Sequence, residues 1–85
     1  MKTHQLKTWP KYFDAVARGE KRFEVRRDDR DFEVGDIVTL QRFDPKKNAF
    51  TGAEMNFQIG YILRGSVFGI EAGHCVFGLQ DLEPS

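Results

Sequence analysis

From Ala53 to Leu63 every second residue is apolar: Ala53, Met55, Phe57, Ile59, Tyr61 and Leu63, with Glu54, Asn56 and Gln58 among the residues between them. Alternation with a period of two marks a strand that buries one face. Straight, that strand would span roughly 35 Å, and a chain of 85 residues builds only one small core. The strand therefore has to bend. Gly60 is the expected bend or bulge, of the kind that closes a barrel. The whole chain, residues 1–85, is read as one domain.

Other segments fit the same architecture. Trp9-Pro10 is a helix start, because proline suits the first helical position, where the N–H has no partner anyway. Trp9, Phe13, Val16 and Ala17 then form one apolar stripe at helical spacing, and Gly19 supplies a stop. The spacing predicts a helix over about residues 10–18, with Trp9 packed in the core. Phe23 and Val25 alternate with Glu24 and Arg26, which predicts a strand near residues 22–27 with its phenylalanine facing inward. Val34-Gly35-Asp36 is turn chemistry, Ile37 to Phe43 is rich in strand formers, and a polar loop is expected from Asp44-Pro45 to about Gly52. A last strand carries Cys75, Phe77 and Leu79 to about Leu82. The expected fold is α+β: one short N-terminal helix followed by four strands in a small, mostly antiparallel barrel or roll.

Charge narrows the function classes. Lys and Arg number 13 and Asp and Glu number 13, so the formal net charge is zero. That excludes a disordered polyelectrolyte and a uniformly basic nucleic-acid coat. The halves differ, however: residues 1–47 hold twelve cations and nine acids, whereas residues 48–85 hold one Arg and four acids. Eleven of the fourteen residues from Arg18 to Asp31 are charged. Interleaved signs of this kind mark either a solvated face of weak ion pairs or a polar cleft whose acids hold its cations in position.

No apolar run reaches membrane-span length, and the MKTHQLKTWP start lacks a signal-peptide stretch. With a lone Cys75, a cytoplasmic location is the expectation. His4, His74 and Cys75 lack zinc-ligand spacing, so no metal is expected; Cys75 is read as a core residue and His74 as surface. The glycines at 65, 69 and 73 match no phosphate loop or dinucleotide fingerprint, and no cofactor is expected.

The segment that carries chemistry is Gly19-Glu20-Lys21-Arg22-Phe23-Glu24-Val25-Arg26. It places Lys21 at the turn into the strand and puts Glu24 and Arg26 on one strand face, roughly 6.6 Å apart. A lysine point charge and an arginine fork suit phosphate or carboxylate oxygens. Glu24 suits a base amino group, or orients Lys21.

Gly19-x-Lys21-x-x-Glu24-x-Arg26, following a short helix and preceding a Val-Gly-Asp turn, resembles the ASC-homology (ASCH) domain of the PUA-like β-barrel superfamily. His4, Leu6-Lys7, Trp9-Pro10, Tyr12-Phe13, Asp28 to Phe32, Val34-Gly35-Asp36 and Thr51-Gly52 extend the likeness to small bacterial and phage proteins of that group without assigned function. The resemblance implies a PUA-like barrel whose cleft beside the helix binds RNA or a nucleotide through Lys21, Glu24 and Arg26, with Gly19 shaping the turn. Some relatives are small amidohydrolases acting on N4-acetylcytidine. They use a lysine at the position of Lys21, a threonine where this chain has Glu24, and a later glutamate with no clear counterpart here.

Two function classes follow. In the first, the protein is an RNA- or nucleotide-binding module in which Lys21 and Arg26 meet phosphate and Glu24 selects a base edge; a balanced charge implies weak binding and a shallow salt dependence. In the second, it is a small hydrolase of an acylated nucleoside with Lys21 and Glu24 as its acid–base pair. A protein partner for the charged 18–31 segment is a third reading.

Overall fold

The computed structural model describes residues 1–82. It contains β1 (Thr3–Thr8), α1 (Pro10–Ala17), β2 (Phe23–Arg27), β3 (Ile37–Asp44), β4 (Ala49–Arg64) and β5 (His74–Gln80). The five strands form one sheet in the order β1-β3-β4-β5-β2. β1 runs parallel to β3, and the other three pairings are antiparallel. The sheet curls into a half-barrel, and its two edge strands, β1 and β2, do not pair with each other.

β1 is absent from the sequence-based expectation, which begins the chain with a helix. The reason is chemical: its inward residues are His4, Leu6 and Thr8, so only one of three is apolar. The polar two are satisfied internally, His4 by Asp36 at 2.9 Å and Thr8 by the Leu6 carbonyl at 3.0 Å. Parallel pairing with β3 makes the sheet mixed.

α1 matches its expected span closely, and Phe13 and Val16 bury its inner stripe. Its end is a Schellman turn, with Gly19 N–H donating to Val16 O and Glu20 N–H to Ala15 O, both at 3.0 Å. Gly19 has φ +79°, a left-handed conformation that costs glycine little. Asp14 on the outer side forms a two-pronged pair with Arg42 of β3, at 3.0 and 3.1 Å.

The long strand bends where expected. Ile59 pairs with Leu79, but Ile62 pairs with Phe77, so two steps on β5 oppose three on β4. The extra residue is a bulge at Gly60-Tyr61, and it reverses the alternation. Phe57 and Ile59 point into the core, Tyr61 is 77% exposed, and Ile62 takes over the inward position. The expected polar loop is shorter than residues 44–52, because pairing resumes at Asp44 and Ala49. Cys75, Phe77 and Leu79 are buried as expected.

Glycines 60 and 65 differ in their tolerance to substitution. A Cβ on Gly60 would meet the end of the flexible Gln80 side chain, whereas on Gly65 it would run into the Glu71 carbonyl and Ala72 backbone. Gly65→Ala is expected to cost about 1–3 kcal/mol and Gly60→Ala clearly less, as read from urea-denaturation midpoints. Equal losses would contradict this packing.

Candidate functional site

The two unpaired sheet edges face one another across a seam, and their hydrogen-bonding directions follow from the register. On β2, Leu79 N–H donates to Arg22 O and Asp28 N–H to Gly73 O. Glu24 and Arg26, opposite Phe77 and Cys75, continue that alternation. Residues 22, 24, 26 and 28 thus turn their backbone groups toward β5, and 23, 25 and 27 turn theirs toward the seam. On β1, Ile37 N–H donates to Lys2 O, which leaves the Gln5 and Lys7 carbonyls facing the seam. Arginine side chains span the gap: Arg26 Nη2 donates to Lys7 O at 3.0 Å and Arg30 Nη1 to Gln5 O at 2.8 Å.

At the helix end the seam opens into a cleft of about 690 Å³ lined by Lys7, Thr8, Trp9, Tyr12, Lys21 and residues 23–26. A separate, smaller cavity of about 140 Å³ shares Arg26 in its lining. Glu24, 4% exposed, anchors the cluster. Its Oε1 accepts from Lys21 Nζ at 2.8 Å and its Oε2 from Arg26 Nε at 2.9 Å. Arg26 Nη2 also reaches the Thr8 hydroxyl at 3.2 Å. Both carboxylate oxygens therefore hold a cation, which is the condition under which a buried glutamate is tolerated.

The structure brings Lys21, Glu24 and Arg26 together. Gly19 is outside the cleft lining and acts through the turn that returns the chain to Lys21. Two expectations need correction. Phe23 and Val25 are not inward: they are 46% and 54% exposed, and Glu24 takes the buried phase. Alternation specifies two faces but not which is inside; here neutralisation by Lys21 and Arg26 lets the charged face turn in. Trp9 is not core either. It is the helix N-cap, contributes its carbonyl to Tyr12 and Phe13 N–H, and is 55% exposed on the cleft wall.

Sequence reasoning passed over Lys7, Thr8 and Tyr12 as site residues. For Tyr12 a signal existed, since it lies three residues after Trp9 and off the buried stripe. Elsewhere in the 18–31 segment, Arg18–Glu20 at 3.0 Å and Arg22–Asp81 at 3.4 Å are exposed surface pairs, whereas Arg30 spans the seam and Asp28 pairs with Arg64 at 2.7 Å. Among the described residues, no group of three or more His, Cys, Asp or Glu is placed to hold a metal, and no helix is long and apolar enough to cross a membrane.

Fold and site together define a class: a small curled β-sheet domain whose open seam carries a cleft of aromatic and cationic side chains around one buried carboxylate. The chain belongs to the family described as "Domain of unknown function (DUF3850)", which residues 3–79 match. It is also similar to the "Uncharacterized 12.9 kDa protein in GpA 3'region" of Escherichia phage P2, 40% identical over 58 residues. That alignment covers 68% of this chain and 51% of the phage protein, so the chain spans about half the length of that relative.

Proposed function

We propose that the seam cleft binds a nucleotide or a short single-stranded RNA segment. The observation that carries this reading is the Lys21–Glu24–Arg26 cluster at the base of an aromatic-walled cleft. Two cations fixed by one carboxylate leave further N–H donors for phosphate oxygens. Trp9, Tyr12 and Phe23 offer ring faces on which a base can stack. The half-barrel with a cleft beside its helix agrees with the arrangement that the ASCH resemblance implies, and on this reading the domain is PUA-like and works in the cytoplasm.

Hydrolysis of an acylated nucleoside is the second reading, favoured by the 2.8 Å contact between Lys21 and Glu24. Binding has the better support. Glu24 already holds cations on both oxygens, and the cleft's Thr8 hydroxyl donates to the Leu6 carbonyl rather than to a base.

The test is a titration of isotope-labelled protein with a short single-stranded RNA and with N4-acetylcytidine, followed by NMR. Amide shifts clustered around Lys21 to Arg26 without release of acetate are expected. Lys21→Ala is expected to weaken RNA binding about tenfold, with a salt slope equivalent to only about two phosphate contacts. Unchanged affinity in that variant would remove the reading, and acetate release would replace it with the hydrolase.

A further inference from the structure

Two of the three seam-facing carbonyls of β2 are occupied. Lys21 Nζ donates to the Phe23 carbonyl, and Asp29 N–H donates to the Arg27 carbonyl at 2.9 Å. On the facing edge, Arg30 and Arg26 occupy the Gln5 and Lys7 carbonyls. Val25 is the one seam-facing residue of β2 with both groups open; at Phe23 and Arg27 only the N–H is open. The Val25 N–H and C=O both point into the seam, the residue lines the cleft, and neither group has a partner among the described residues.

With the Phe23 and Arg27 carbonyls occupied, this edge offers an added peptide strand only one acceptor, whereas strand addition uses both groups of alternate residues. The Val25 pair is the right size for one edge of a planar ring. A backbone N–H beside a C=O is complementary to any ring that presents an adjacent acceptor and donor. The Watson–Crick edges of all four common bases do so, through a ring nitrogen and the neighbouring exocyclic group.

We infer that Val25 is the base-reading residue of the cleft: its backbone N–H and C=O take the Watson–Crick edge of one unpaired nucleobase, with Trp9 and Tyr12 beside the ring and Lys21 and Arg26 at the phosphate. This rests on the nucleotide-binding reading and adds a specificity to it. The site tolerates different bases because each offers such a pair. It rejects a base in a duplex, because pairing uses the same edge. It likewise rejects a base methylated there. Glu24, with both oxygens held by cations, positions those cations rather than reading the base.

The test compares matched ligands in NMR titrations of the wild-type protein: uridine monophosphate against its 3-methyl form, and adenosine monophosphate against its N6,N6-dimethyl form. The unmodified members are expected to bind with a large shift of the Val25 amide, and the blocked members about tenfold to a hundredfold more weakly. Val25→Pro removes the N–H at an edge position the ladder does not use and should weaken the unmodified ligands to the level of the blocked ones. Lys21→Ala should weaken both members of each pair equally. Equal binding of blocked and unmodified nucleotides overturns the base-reading role while leaving nucleotide binding intact, whether or not the proline variant folds. If no nucleotide binds and a capped Thr-Val hexapeptide shifts Val25 instead, the nucleotide reading fails and this inference with it.

Discussion

Glu24→Ala is expected to lower stability by about 3 kcal/mol and to abolish binding in the cleft. The carboxylate is the one anion that Lys21 and Arg26 share, and its removal leaves two cations facing each other at the mouth of a partly enclosed site. The figure sits at the low end of the range for breaking a buried pair because the Lys21 and Arg26 side chains retain 17% and 25% exposure and water screens part of the loss. Glu24→Gln keeps the shape and one acceptor oxygen, so it should fold better than the alanine variant yet still misplace one cation. Urea denaturation of the three proteins gives the order wild type, Gln, Ala. A loss below about 0.5 kcal/mol for Glu24→Ala would mean that the cluster is a surface ion-pair ladder, and the cleft would lose its organising residue.

The sequence made this cluster legible because its chemistry is local. Lys21, Glu24 and Arg26 lie within six residues on one turn and one strand, where i and i+2 share a face regardless of the tertiary fold. The orientation of that face was not legible. Phe23 and Val25 look like the buried side by composition, and only the position of β2 at an open seam, with its cations folded back onto Glu24, reverses the assignment. Trp9 failed for a related reason: helical spacing joins it to Phe13 and Val16, but as the N-cap it stands before the first turn and faces the cleft. The bend at Gly60 was readable because length forced it. The phase reversal after it, which exposes Tyr61 and buries Ile62, depends on the pairing with β5. β1 was missed because His4 and Thr8 carry their hydrogen-bond partners into the interior, so a buried strand shows almost no apolar signal.

The same hidden strand underlies the larger stability effect. Asp36, 1% exposed, accepts from Lys2 N–H at 3.0 Å, Glu33 N–H at 3.1 Å and His4 Nε2 at 2.9 Å. A carboxylate only accepts, so Nε2 carries the proton in that contact. His4 in turn packs against Phe32, ring centroids 4.7 Å apart, and Phe32 against Phe77 at 5.1 Å. Asp36→Ala leaves three donors without a partner and detaches the start of β1 from the turn before β3. The expected cost is about 4 kcal/mol, roughly a third or more of the total of about 4–13 kcal/mol for a chain of this length, so the urea midpoint followed by far-ultraviolet circular dichroism should fall by at least about a third.

Asp36→Asn is the milder probe and isolates the charge. Burial pushes the Asp36 carboxyl up, but the hydrogen bonds from His4 and from the Lys2 and Glu33 amides outweigh it and hold the carboxyl below its ordinary 3.8. A carboxylate whose pKa is lower folded than unfolded stabilises the protein above the unfolded value and loses that contribution as pH falls through the folded one. Wild-type stability should therefore drop steeply below about pH 4, and the Asn variant, weaker at neutral pH, should drop less. Asp14, held low chiefly by its hydrogen bond to Arg42, contributes equally to both proteins, so the difference between the two curves belongs to the Asp36 network. Parallel curves would mean that the Asp36 charge adds nothing to the hold on the start of β1, leaving its ladder with β3 as the anchor of the seam.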